Sequence, residues 1–261
     1  MTLAVIIQAR MTSTRLPGKV LKDIAGASAL HRCLERCRRI PGMDALIVAV
    51  PDTEEDEPVA REALLCGAAV VRGHASDVLS RYAKAARAGE ADVVMRVTSD
   101  CPLIDPAICG RVIELFERSG ADYACNNMPA RFPHGLDCEV FKTETLLRAD
   151  LEAKDPYDRE HVTPWIRKNK GLVHACLLGP GRGLETLRWT LDHADDLEFF
   201  RALYRAFGPR APVASAAEIA AFIFRRQDLM QINARWIDHK RLESAERAEI
   251  ETAPQALQIA A

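Results

Sequence analysis

An α/β fold built on a largely parallel sheet is what this sequence predicts, and three observations carry the prediction. Strand-like apolar runs alternate with helix-like periodic segments through the first half of the chain. At 261 residues, 48% hydrophobic and 28% charged, the chain can bury a full core as one large domain. The first apolar run, Leu3-Ala4-Val5-Ile6-Ile7, opens into a basic loop, and in α/β sheets the loops beyond the carboxyl ends of strands are where ligands bind.

Taken in order, strands are expected at residues 3–8, 45–50, 69–71 and 92–98, with helices at about 28–39, 56–66, 76–88 and 106–118. That order implies a sheet covered on both faces. The last of these helices is well punctuated: Asp105 can cap it, Pro106 suits its first position, Gly120 can end it, and Ile108, Val112, Ile113 and Phe116 supply an apolar face. Beyond residue 120 the pattern becomes mixed. Asp122 to Cys125, Cys138 to Phe141, Val173 to Leu178 and Thr186 to Leu191 read as strands, and Pro156 to Lys168 as a helix interrupted by Pro164. From Asp195 the chain reads as helical, with Leu197, Phe199, Phe200, Leu203, Tyr204 and Phe207 as a stripe, then a second helix near Glu218 to Arg226. The second half is expected to add antiparallel strands and a substrate-facing surface. Residues 1–235 form the expected domain, and 236–261, which lack a strong apolar face, an expected mobile tail.

A net charge of −2 and a pI near 6.4 argue against a general nucleic-acid binder, so any positive field must be local. No apolar run approaches the ~20 residues of a membrane span and no secretory leader is read, so a cytoplasmic protein without membrane insertion is expected. The eight cysteines are scattered with no C-x-x-C pair, which argues against zinc or a disulfide; Cys33 and Cys37, one helical turn apart, are expected to face the core.

The basic loop runs Gln8-Ala9-Arg10-Met11-Thr12-Ser13-Thr14-Arg15-Leu16-Pro17-Gly18-Lys19, and four positive charges with no acid lie between Arg10 and Lys22. Such a loop suits an anionic, phosphorylated ligand. It is not a Walker A loop, which would need Gly at Ser13 and Ser or Thr at Val20, and its single glycine excludes the dinucleotide fingerprint. A second motif, Val97-Thr98-Ser99-Asp100-Cys101-Pro102-Leu103-Ile104-Asp105, puts Asp100 just beyond a buried strand, at the sheet edge shared with the basic loop. An acid there suits Mg²⁺, which takes one or two carboxylates together with phosphate oxygens. A third, Arg188-Trp189-Thr190-Leu191-Asp192-His193-Ala194-Asp195-Asp196, offers Asp192 as a second carboxylate ligand, while Asp195 and Asp196 fit as charges at a helix N-terminus. Ser, His and Asp residues show no nucleophile-elbow pattern, which argues against a hydrolase triad.

The basic loop resembles the nucleotide loop of the cytidylyltransferases that activate acidic sugars, such as the CMP-KDO and acylneuraminate synthetases. To about residue 235 the chain resembles the spore-coat polysaccharide biosynthesis protein F family of cytidylyltransferase-like proteins. That likeness rests on the basic loop, Asp77-Val78-Leu79-Ser80-Arg81-Tyr82, Asp100-Cys101-Pro102-Leu103-Ile104-Asp105, Phe132-Pro133-His134-Gly135-Leu136-Asp137 and Arg159-Glu160-His161-Val162-Thr163-Pro164. The resemblance implies a Rossmann-like, glycosyltransferase-A type nucleotidyltransferase fold, and transfer of CMP from CTP to an acidic or phosphorylated sugar with release of pyrophosphate, for surface polysaccharide. It implies that Arg10, Arg15 and Lys19 contact the triphosphate, that Ala9, Thr98 and Ser99 lie by the nucleotide, and that Asp100 and Asp192 are the Mg²⁺ carboxylates. Arg10, Lys19, Asp100 and Asp192 then form the expected catalytic set. Ser99 stands where the family often has Gly and His134 where it often has Asp, which puts the width of the nucleotide pocket and acceptor recognition in question. A homodimer is expected on the same likeness alone.

The acceptor side is expected from the second half. Asp137 and Glu139 alternate along a strand and so share a face, near Arg131, while Arg159 and His161 open the next helix. Arg131 or Arg159 would suit an acidic or phosphorylated acceptor; Asp137, Glu139 and His161 would suit sugar hydroxyls. Two other functions stay open. A glycosyltransferase using a nucleotide sugar would present an acid-x-acid motif, for which Asp137-Cys138-Glu139 is the one local imitation considered; a non-catalytic nucleotide-binding module is the other.

Overall fold

The computed structural model describes residues 1–243. Its elements run β1 (Leu3–Gln8), α1 (Ala29–Cys37), β2 (Ala45–Pro51), α2 (Glu57–Leu65), β3 (Ala69–Gly73), α3 (Val78–Ala88), β4 (Val93–Thr98), α4 (Pro106–Ser119) and β5 (Tyr123–Cys125). There follow β6 (Glu139–Lys142), α5 (Thr143–Glu152), α6 (Pro156–His161), α7 (Pro164–Lys168), β7 (His174–Cys176), α8 (Ala194–Phe207), α9 (Ala216–Ile223) and α10 (Gln227–Gln231). The strands make one sheet in the order β3-β2-β1-β4-β6-β5-β7. Every pairing is parallel except those of β6, which runs antiparallel to both β4 and β5.

Side chains alternate along β1 and fill two separate cores. Leu3, Val5 and Ile7 pack on the face carrying α1, α2, α4, α8 and α9, whereas Ala4 and Ile6 pack on the face carrying α3, α5 and α7. Both faces are therefore apolar, which is why β1 and β2 read as unbroken hydrophobic runs. The cap expected at Asp105 forms, its carboxylate accepting from Ala107 and Ile108 N–H and reaching Ala216 N–H at the start of α9. Cys33 and Cys37 are fully buried.

Residues 186–191 do not form the expected strand. Leu187, Trp189 and Leu191 are buried and alternate as a strand's would, but the segment lies against loops: Trp189 N–H donates to His134 O (2.6 Å) and Leu191 N–H to Asp100 O (2.8 Å). The period-two signal is real and its partner is not a sheet. Helix α5 escaped the sequence reading because only Thr145, Leu146 and Ala149 are buried along it, too short a stripe to register. Among the described residues no helix is long and apolar enough to cross a membrane. Part of the expected tail is docked: Trp236 stacks on His193 with ring centroids 3.6 Å apart, and Arg241 pairs with Asp137. The remainder of that call, 244–261, lies outside the described residues.

Candidate active site

The carboxyl ends of β1 and β4 lie side by side, Gln8 in register with Thr98, so the loops that leave them share one edge of the sheet. Between them opens a cleft of about 630 Å³ lined by residues 8–15, Lys19, Thr98, Ser99, Asp100 and Asp192. The basic loop is held from both ends. Gly18, left-handed at φ 64°, donates its N–H to Met11 O (3.0 Å), which closes the loop on itself. Met11 N–H donates to the buried carboxylate of Asp56 (2.6 Å), which anchors the loop to the segment before α2. A short 3-10 turn, Lys19–Leu21, then aims the Lys19 ammonium back into the cleft.

Lys19 joins the two acids that the sequence singled out. Its Nζ lies 2.7 Å from Asp100 Oδ2 and 2.8 Å from Asp192 Oδ1. Arg15 also reaches Asp192 Oδ1, at 2.8 Å. Burial alone would raise the Asp100 carboxyl, but the charge and hydrogen bond of Lys19 outweigh it and hold Asp100 down at about 2. Burial likewise works against the Lys19 ammonium, and the two carboxylates overcome it and raise its pKa. Asp100 is therefore ionised at neutral pH beside a fixed cation.

Asp192 reaches this point through an anchor that sequence reading undervalued. Asp196, fully buried, accepts from Arg188 Nε (2.8 Å) and from the N–H groups of Asp192 and His193 (2.9 Å each), while Arg188 also approaches Asp192 Oδ2 (3.3 Å). Asn233 closes the cluster by donating to Asp196 Oδ1 (2.9 Å). Asp196 is thus more than a charge in the first turn of α8: it fixes the backbone that presents Asp192. The Leu191 hydrogen bond to Asp100 O locks the two acid-bearing segments together.

The donor set answers whether a metal would fit. Two carboxylates from different segments, already within hydrogen-bond reach of one nitrogen, offer oxygen ligands only, and they face open cleft. That is the donor chemistry of Mg²⁺, which completes its shell with water and phosphate oxygens. Arg10, Arg15 and Lys19 stand along the same wall for an anion's remaining charge.

Across the mouth, Arg10 faces Glu160 at 3.5 Å, and His161 lines the cleft beside it. Of the five residues expected on the acceptor side, His161 is the one that reaches the cleft. Glu139 does not share an exposed face with Asp137: it is 2% exposed and bonded to Arg96, Arg167, Tyr123 and Thr163. Burial would raise its carboxyl, yet Arg167 and Arg96 hold it well below the usual range. Arg159 is spent on Asp77 and Asp150 and on the carbonyls of Asp150 and Ala153, tying α6 to α3 and α5. Asp137 pairs with Arg241 (2.7 Å), and Arg131 lies outside the cleft lining. Neither acid of the imitation acid-x-acid motif at residues 137–139 therefore lines the cleft. Arg81 and Glu160 do line it and were not singled out, although both stood inside quoted motifs.

Comparison with known proteins agrees with this geometry. The sequence profile of the cytidylyltransferase family matches residues 4–208. The chain is 33% identical over 230 residues to the spore coat polysaccharide biosynthesis protein SpsF of Bacillus subtilis, covering 85% of this chain and 94% of that protein. It is 31% identical over 229 residues to a 3-deoxy-manno-octulosonate cytidylyltransferase of Anaeromyxobacter dehalogenans, covering 80% and 93%. A solved cytidylyltransferase from Leptospira borgpetersenii superposes with a TM-score of 0.83 at 28% identity, over 88% of this chain and 97% of that one.

Proposed function

The chain belongs to the cytidylyltransferase family, and from that premise we propose that it transfers CMP from CTP to an acidic or phosphorylated sugar, releasing pyrophosphate, in the building of a surface polysaccharide. The observation that carries the reading is the convergence of Asp100, Asp192 and Lys19 at the edge of β1 and β4, beside the basic loop. Relatives named for spore coat polysaccharide biosynthesis and for 3-deoxy-manno-octulosonate activation support the kind of acceptor.

In this reading Asp100 and Asp192 hold Mg²⁺, which when bound polarises the α-phosphate toward attack. Arg10, Arg15 and Lys19 bind the outer phosphates and offset the charge that collects on departing pyrophosphate. Lys19 pairs with both carboxylates in this structure; were Asp100 and Asp192 to hold Mg²⁺, the ammonium would be released to meet phosphate. Ala9, Thr98 and Ser99 form the wall beside the nucleoside. His161, opposite the basic loop, orients the acceptor hydroxyl, with Glu160 next to it. The transfer is a direct in-line displacement at the α-phosphorus, and no enzyme nucleophile takes part. The reaction is placed in the cytoplasm, and a homodimer belongs to the reading.

Calorimetry tests it against a non-catalytic nucleotide module. CTP should bind more tightly with Mg²⁺ than without, and more tightly than UTP or GTP. CTP binding that is indifferent to Mg²⁺ would favour the module, and turnover of a nucleotide sugar without pyrophosphate would favour a glycosyltransferase.

A further inference from the structure

On the sheet face opposite α3, the neighbouring helices α1 and α2 turn three donor atoms of different chemistry toward one point. The ligating atoms of His31, Glu62 and Cys66 all lie within 4.8 Å of one another. His31 Nδ1 is 3.3 Å from Cys66 Sγ, and Glu62 Oε1 is 4.0 Å from the same sulfur. Bonds of about 2.0–2.3 Å around a tetrahedral ion place neighbouring ligand atoms roughly 3.3–3.7 Å apart; the His31–Cys66 pair is already at that spacing, and rotation of the Glu62 side chain closes the wider separations. Glu62 and Cys66 stand one turn apart at the end of α2, and His31 lies in the first turn of α1.

The set is also braced. Ser28, the N-cap of α1, accepts from His31 N–H (3.0 Å) and donates its hydroxyl to Glu62 Oε1 (2.5 Å). One side chain thus fixes both the helix start that bears the imidazole and the direction of the carboxylate, as outer hydrogen bonds do around metal ligands. Cys66 is buried while His31 and Glu62 are partly exposed, which leaves an open side. None of these residues lines the cleft.

We propose that His31, Glu62 and Cys66 bind one Zn²⁺, with water as the fourth ligand. Imidazole, thiolate and carboxylate suit Zn²⁺ and disfavour Mg²⁺, so the two metals are sorted by donor chemistry alone. On binding, Cys66 gives its thiol proton to solvent and His31 ligates through Nδ1 as the neutral ring. The ion clips α1 to α2, both of which pack against the 3-10 turn that carries Lys19.

The test uses untagged, metal-stripped, full-length protein titrated with Zn²⁺ against a chromophoric chelator, and separately with Co²⁺. One equivalent of Zn²⁺ should bind, and Co²⁺ should give a near-ultraviolet thiolate charge-transfer band. Cys66→Ser should remove the band and weaken Zn²⁺ by at least about 100-fold, the upper end of what loss of an outer partner alone costs. Ser28→Ala should weaken it about 10-fold. Cys176→Ser, which alters the most exposed cysteine, should leave both readings unchanged. If Cys66→Ser does not fold, His31→Ala carries the same affinity expectation at a more exposed position. The proposal is overturned if folded wild-type protein binds no equivalent, or if the variants bind Zn²⁺ as tightly as wild type.

Discussion

Lys19 satisfies two carboxylates at once, and the chemistry assigned to the cleft turns on those three side chains. Asp100→Asn and Asp192→Asn keep size and most hydrogen bonding but remove the charge that holds a cation. Each is expected to keep the fold and lose at least about 100-fold in turnover, within the range that removal of one electrostatic stabiliser produces. Steady-state rates at limiting and saturating Mg²⁺ check this, and wild-type rates in both variants at limiting Mg²⁺ would refute the two-carboxylate site. Lys19→Ala should weaken CTP more than CMP if, as proposed, it binds the outer phosphates; equal weakening of the two, measured by calorimetry, would deny it that role. These residues were legible because charge in a strand-end loop has few other uses. Arg159 and Glu139 misled for a physical reason: a charged side chain in a motif reads the same whether it meets a ligand or a buried partner of opposite sign.

Beneath the cleft floor, β6 and α7 are joined through Glu139, which meets Arg96 from β4 and Arg167 from α7. Arg96 also donates to Gln8 at the end of β1 (3.2 Å), so this buried network underlies the very strand that delivers the basic loop. Glu139→Gln would leave two partly buried guanidinium groups undercompensated, at a cost of up to about 3 kcal/mol, the lower end for breaking a fully buried pair. A lowered Tm with acceptor KM unchanged is expected, and the reverse pattern would restore Glu139 to the acceptor site. The order of alternating strands and helices was readable through α4, where β1, β2 and β4 are apolar runs and α1, α3 and α4 bury long stripes. Past residue 120, β5, β6, β7 and α8 were legible as well, but α5 was not, and the segment 186–191 rests on loop contacts that its periodicity does not announce. Gly135 shows this well: at φ 109°, a Cβ there would come within 2.3 Å of Trp189 O, so the glycine exists to let two loops touch.

Across the whole molecule, the paired acids make stability depend on pH in a stated direction. Asp100 sits at about 2, below its ordinary value of about 3.9, so the native state favours the ionised form. Its contribution is complete above about pH 4 and is lost as pH falls toward 2, amounting to about 2 kcal/mol. Glu139 is depressed in the same sense and adds to the acid loss. Urea midpoints between pH 5 and 2 should therefore fall more steeply for wild type than for Asp100→Asn; identical slopes would mean that the Lys19 pair contributes nothing. The two cores follow from the sequence's apolar runs, whereas the strand order and the meeting of loops from both halves around the cleft do not. The most direct measurement is the product balance when wild-type protein, Mg²⁺ and CTP are mixed with a panel of acidic and phosphorylated sugars. One pyrophosphate released for each CMP-bearing product formed is the predicted result; pyrophosphate from UTP or GTP but never from CTP would contradict the account.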